Sequence, residues 1–277
     1  MVDVKRYRQD FKDPHYFVST SDDKILFLRA WASKDATDIA ILIFHGITAH
    51  SGPYAMIGEA LSKFGFAVYG LDLRGHGLSD GNRGDYPSKE RFIKDIGETI
   101  SFIKKMHNHL LILGHSLGVM TAIYASNHFL EDIDGLILLS GARTIRSGVY
   151  SKISIFKKIK ILLSSIFKPN RPVISYKREG MTGLDDPLYN FKYTLRFMKI
   201  FNLNKVSFPE HLDIPTLLGI GENDELFTIE SARSLFDEIP SENKKFIVLS
   251  KAKHAEFPAN SWQELIEWLM SIFKQDK

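Results

Sequence analysis

The chain contains no cysteine. Disulfides, a thiolate nucleophile and a cysteine-ligated metal site are therefore excluded, and secretion by a disulfide-dependent route has no support. Long apolar runs are missing too: no segment approaches the roughly 18 uncharged residues that a bilayer-spanning helix needs. The first ten residues, Met1 to Asp10, mix charges of both signs without the apolar centre of a secretory signal. These absences lead to the expectation of a cytoplasmic protein with no spanning helix.

What is present suits one globular domain carrying an insertion. Of the 277 residues, 44% are hydrophobic and 25% charged, a balance that supports a large buried core. The net charge of +3 conceals an asymmetry. Between residues 142 and 205 there are 14 Lys and Arg against 3 Asp and Glu; elsewhere there are 22 against 30, so the segment carries +11 and the remainder −8. Such a patch reads either as a solvated basic face or as a surface for peripheral contact with an anionic membrane. No nucleic-acid partner is expected, and the oligomeric state stays open.

Short apolar runs alternate with helical stretches: Ile39 to Phe44, Phe66 to Leu71, Leu110 to Leu113, Leu136 to Leu139, Thr216 to Ile220 and Phe246 to Leu249. Nearly continuous apolar runs of this length predict strands buried on both faces of a parallel sheet. Helices are expected at about 54–64, 88–105, 116–128, 229–238 and 260–273, the last with Trp262, Leu265, Ile266, Leu269 and Phe273 at three- and four-residue steps. Tyr16 to Ser19 and Ile25 to Trp31 flank a polar turn and predict an antiparallel hairpin. The rhythm breaks from 141 to 209, where no clear strand is legible. There Ile155, Ile159, Leu162, Leu163 and Ile166 would share one helical face, and an apolar stripe of this kind is expected to pack over a core. The organisation is thus a core of residues 1–140 and 210–277 and a helical cap of residues 141–209.

The pentapeptide Gly114-His115-Ser116-Leu117-Gly118 follows an expected strand and opens an expected helix. That context is what gives the G-x-S-x-G pattern meaning: small residues allow a sharp turn that lifts a serine above the sheet edge. A serine hydroxyl needs a base to take its proton, an acid to orient the base, and donors for the oxyanion. His254 is the one histidine beyond the last strand, so it is the candidate base. Asp224, in the loop after Thr216 to Ile220, is the candidate acid, with Glu222 and Glu225 as neighbours that could substitute on charge. Their order, serine then acid then histidine, matches the nucleophile-elbow enzymes. The Leu117 N–H and the Ile47 N–H, on the loop after Ile39 to Phe44, are the expected oxyanion donors. No cofactor and no metal are called for.

On these residues the chain resembles the α/β-hydrolase subgroup that contains monoacylglycerol lipases, lysophospholipases and microbial carboxylesterases. His45 to Tyr54 fits the subgroup pattern HGxxxHSxxY and Asp72 to Gly81 fits DxRGHGxSxG. The resemblance implies a mostly parallel eight-stranded sheet flanked by helices, with a helical cap inserted after the sixth strand. It makes His45 and His76 structural, and places His50, Ser51 and Tyr54 on the loop that lines the substrate pocket, with His115 beside the nucleophile. One departure concerns Ala49 and Pro53, where monoacylglycerol lipases of this subgroup commonly carry Glu and Arg that hold the glycerol end of the substrate. That departure favours a carboxylesterase for short to medium acyl chains over a monoacylglycerol lipase or lysophospholipase. A third reading is a noncatalytic binding protein on the same fold. The expected partner is a small-molecule ester or lipid.

Overall fold

A computed structural model describes residues 3–33, 38–149, 154–177, 180–202 and 205–273. The predicted alternation is present, with the order α1 (Val4–Asp10), β1 (His15–Ser19), β2 (Ile25–Trp31), β3 (Ile39–Phe44), α2 (Ala55–Lys63), β4 (Ala67–Leu71), α3 (Lys89–Lys104), β5 (His109–His115), α4 (Leu117–His128) and β6 (Gly135–Leu139). After an excursion follow β9 (Thr216–Gly221), α7 (Ile229–Asp237), β10 (Lys244–Leu249) and α8 (Gln263–Phe273). The excursion itself holds α5 (Ile155–Phe167), β7 (Ile174–Ser175), β8 (Lys192–Tyr193) and α6 (Leu195–Ile200).

Eight strands form one sheet in the order β1-β2-β4-β3-β5-β6-β9-β10. The β1–β2 and β2–β4 pairs are antiparallel and every later pair is parallel. Alternate side chains feed two cores, as a period of two requires. Leu42, Phe44, Ile112 and Leu138 pack with α3, α4 and α7, while Ile41, Ile43, Leu113 and Leu139 pack with α2 and α8. Both faces are covered, which is why these strands read as unbroken apolar runs. From β3 the chain passes first to β4 on one side and then to β5 on the other. The carboxyl ends of β3 and β5 therefore flank the switch point where such sheets open a crevice.

The excursion corrects two expectations. It contains a strand pair, Ile174 with Tyr193 and Ser175 with Lys192; two-residue strands are too short to leave a periodic trace. The stripe on α5 does not pack over a core. Ile155, Ile159, Leu162, Leu163 and Ile166 are 49–63% exposed, Phe156 83% and Phe167 78%, while Ile161 on the opposite side is buried. Within the described residues α5 packs chiefly against the short α6, so its apolar face has no element to cover it. Parts of the predicted cap, residues 150–153, 178–179 and 203–204, lie outside the described residues.

The second half of the excursion is held firmly. Buried Asp85 accepts from Thr194 Oγ1 at 2.8 Å and pairs with the Arg196 guanidinium. Arg83 donates to the carbonyls of Gly77 and Leu188, and the Asn190 N–H reaches the Thr48 carbonyl at 2.9 Å. Thr194 also caps α6 by accepting from the Phe197 N–H.

Candidate active site

Ser116 sits between β5 and α4 with φ 55° and ψ −115°, a strained conformation for a residue with a side chain. The turn is tight because backbone touches backbone. An added Cβ at Gly118 would lie 2.0 Å from the Phe44 carbonyl oxygen, and one at Gly114 would lie 2.3 Å from the Gly118 carbonyl oxygen. Glycine at both ends thus lets the elbow rise over the β3–β5 crevice.

The structure brings the three sequence-predicted groups together. The Ser116 hydroxyl is 2.9 Å from His254 Nε2, and His254 Nδ1 is 2.9 Å from Asp224 Oδ2. With an ionised acid the ring donates from Nδ1, leaving Nε2 to accept the serine proton. Asp224 Oδ1 accepts from the N–H groups of Leu226 and Phe227. Burial pushes the Asp224 carboxyl up, but the His254 hydrogen bond and charge, with those two N–H groups, outweigh it and hold the acid below its usual range. The neighbours considered as alternatives do other work: Glu225 accepts from the His254 N–H at 3.0 Å and Glu222 from the Lys251 N–H at 2.8 Å.

Among the described residues, neither the Ile47 N–H nor the Leu117 N–H donates to a protein acceptor. Their loops are pinned from several directions. The Gly46 N–H donates to Tyr54 Oη at 2.8 Å, and the Ile47 carbonyl faces His76 Nε2 and the Tyr193 hydroxyl. His45 Nε2 accepts from the Leu73 N–H at 3.1 Å. Asp72 reaches both loops, accepting from the N–H groups of Ser51 and Leu78 at 2.6 and 2.7 Å. Burial pulls His45 down to about 4, which keeps that ring neutral, and pulls His76 well below its usual value.

A cavity of about 500 Å³ opens over Ser116, and Ala49, Pro53, Tyr54 and His115 line it together with Tyr189 and Trp262. His50 and Ser51, expected in its wall, do not line it. His50 is drawn away by Asp186, 2.9 Å from its Nε2, and Ser51 is turned toward Asp72 and Arg29. Asp186 and Tyr193 lie in the excursion, where spacing carried no signal for them. Among the described residues no group of three or more His, Asp or Glu side chains is arranged to hold a metal ion. Chemically, the arrangement can move the Ser116 proton to His254 while the hydroxyl oxygen attacks an acyl carbon.

The serine aminopeptidase S33 family matches residues 35–257. Rat monoglyceride lipase is 26% identical over 258 residues, which cover 87% of this chain and 82% of that protein. An uncharacterized abhydrolase domain-containing protein of Dictyostelium discoideum is 26% identical over 93% of this chain, and the chain spans 29% of that longer relative. The crystal structure of Paleococcus ferrophilus monoacylglycerol lipase superposes with a TM-score of 0.67 at 25% identity, covering 89% of this chain and 98% of the other. A mostly parallel eight-stranded sheet with a strained strand-to-helix elbow at Ser116 after β5, in a chain that the family matches over four-fifths of its length, makes this chain a member of the serine aminopeptidase S33 family of α/β-hydrolases, on its monoacylglycerol lipase-like side.

Proposed function

We propose that the protein is a serine carboxylesterase acting on esters of short to medium acyl chains through an acyl-enzyme. The observation that carries the proposal is the continuous line from Ser116 Oγ through His254 to Asp224, with 2.9 Å at each step, beneath an open cavity. Ser116 attacks the ester carbonyl, the Ile47 and Leu117 N–H groups receive the oxyanion, and His254 passes the serine proton to the departing alcohol. Water then attacks the acyl-enzyme with His254 as base. Asp224 stabilises the imidazolium. Members of a serine aminopeptidase family could also act on peptides; among the described residues the acidic side chains that line the cavity already have partners, Glu225 accepting from the His254 N–H and Glu256 pairing with Lys253.

Ser116→Ala tests the proposal. Turnover of p-nitrophenyl butyrate should fall by about a thousandfold or more, and a fluorophosphonate should label the parent protein at Ser116 and not the variant. Failure to label the folded parent would favour a noncatalytic binding protein.

A second reading, hydrolysis of monoglycerides or lysophospholipids, draws on the names of the rat and Paleococcus relatives and on the exposed apolar face of α5. A series of monoglycerides and soluble esters of increasing acyl length separates the two readings. Residues 141–209 act in this proposal as a lid whose basic α5 meets anionic membrane surfaces. A chain without cysteine suits a reducing compartment, and the cytoplasm is the proposed setting. Among the described residues no helix is long and apolar enough to cross a membrane.

A further inference from the structure

Two cavities meet at Ser116, and they are unequal. The larger, about 500 Å³, has His254, Phe257 and Trp262 in its wall. The smaller, about 100 Å³ and likewise open on one side, is lined by Met120, Tyr176, Met198, Phe201 and Phe227, and His254 does not border it. Ile47, Ser116 and Leu226 line both, so an ester held at Ser116 has one half in each.

Resting on the ester-hydrolase reading, we infer that the acyl half is the small one and that the preferred substrates are short-acyl esters of bulky, ring-bearing alcohols. The assignment follows from proton transfer. When the tetrahedral adduct collapses, the bond between the acyl carbon and the alcohol oxygen breaks and His254 Nε2–H protonates that oxygen. The alcohol oxygen must therefore lie within hydrogen-bond reach of Nε2, on the side where His254 forms the wall. The carbonyl oxygen takes the direction of the Ile47 and Leu117 N–H groups. What remains for the acyl chain is the lobe beside Leu117 and Met120.

Size sets the limits. An apolar cavity of about 150 Å³ holds a benzene ring, so the 100 Å³ lobe takes a chain of about two to four carbons, and the 500 Å³ lobe takes a fused bicyclic ring with room left over. The lining agrees: Ala49 and Pro53 present small apolar surfaces to the larger lobe, which the rings of Tyr189, Phe257 and Trp262 also line. The Tyr54 hydroxyl and both ring nitrogens of His115 are already committed to one another and to backbone groups. The part of the wall made by Tyr54, His115, Phe257 and Trp262 recognises a ring by contact, while Thr48, Thr182, Lys251 and Lys253 line the rest of the lobe.

A pair of reversed esters tests the inference without changing composition. Naphthylmethyl acetate and methyl naphthylacetate are isomers, both release primary alcohols, and they exchange which half carries the ring. The acetate should be hydrolysed with kcat/KM at least about tenfold higher, a contrast within reach of pocket fit alone. Equal rates, a reversed preference, or turnover of neither isomer by a protein that hydrolyses p-nitrophenyl acetate overturns the lobe assignment and leaves the esterase reading standing. Absence of p-nitrophenyl acetate turnover overturns both. Ala49→Trp, which fills the larger lobe, should lower kcat/KM for naphthylmethyl acetate by at least about fivefold more than for ethyl acetate. An equal effect on both substrates counts against the inference.

Discussion

The His115 ring donates its Nε2 proton to the carbonyl oxygen of His254 at 2.7 Å, so the residue before Ser116 grips the backbone of His254. A carbonyl can only accept, which leaves His115 Nδ1 to accept from the Tyr54 hydroxyl at 2.7 Å. Tyr54 in turn accepts from the Gly46 N–H at 2.8 Å. One chain of hydrogen bonds, with every donor assigned, joins the loops that follow β3, β5 and β10. Burial holds His115 at about 3, in the neutral form that this polarity requires.

Tyr54→Phe removes the middle of that chain. Gly46 N–H and His115 Nδ1 then stay buried without partners, at about 1–3 kcal/mol for each orphaned group. Urea denaturation should show that loss. In addition, kcat per fluorophosphonate-titrated site should fall by about tenfold as the loop carrying the proposed Ile47 donor loosens, with KM changed less. An unchanged kcat per titrated site would restrict Tyr54 to a structural role.

Three buried histidines make stability depend on pH. Unfolded histidine titrates near pH 6.5, whereas folded His45 lies at about 4, His115 at about 3 and His76 well below its usual value. Between those limits the unfolded chain binds more protons than the folded one, so stability falls as pH falls from about 6.5 toward about 4. His45 and His115 together give a slope of about 2.5 kcal/mol per pH unit near pH 5, to which His76 adds in the same direction. Urea midpoints measured across that range should show it, and His115→Gln should lower it by about 1.3 kcal/mol per pH unit. A slope that the variant leaves intact would contradict the assignment.

The parts legible in the sequence were those whose physics is local or periodic. β3, β5, β6 and β9 are buried on both faces and so wrote their positions as apolar runs. Ser116 was legible because Gly114 and Gly118 are required by backbone contact, and Asp224 and His254 because each follows a readable strand. His50 and Ser51 were placed in the cavity wall by their loop, but their bonds to Asp186 and Asp72 depend on chain more than twenty residues distant. The same holds for Tyr193 against Ile47. The outward orientation of α5 is not legible in the sequence, since a periodic stripe fixes which residues share a face and says nothing about what that face meets.

The elbow predicts a sharp contrast between glycines. Gly118→Ala drives a Cβ into the Phe44 carbonyl oxygen, backbone against backbone, with no flexible side chain to yield. The expected result is a loss of about 4 kcal/mol or more, seen as a lowered thermal midpoint or a failure to accumulate. Gly148→Ala meets nothing within 4 Å and retains only the strain of its φ of 87°, about 1–2 kcal/mol. Equal midpoints for the two variants would remove the steric account of the elbow.

The uncovered face of α5 leads to the last prediction. Phe156 and Phe167 are 83% and 78% exposed, and Lys158 and Lys160 stand exposed on the same helix. An amphipathic basic helix of this kind lies in the plane of a membrane interface through buried apolar area and attraction to anionic lipid. Flotation should recover the protein with anionic vesicles and much less with neutral ones. Raising ionic strength should weaken recovery, because the Debye length shortens to about 3 Å at 1 M salt. Phe156→Asp with Phe167→Asp should abolish it by removing the apolar contribution and adding repulsion. Lys158→Glu with Lys160→Glu should abolish the preference for anionic lipid. Neither double variant touches the Ser116 cavities, so p-nitrophenyl butyrate turnover in solution serves as the control for folding. Equal absence of the parent protein from both kinds of vesicle would eliminate the membrane contact, and recovery that survives both double variants would move it away from α5.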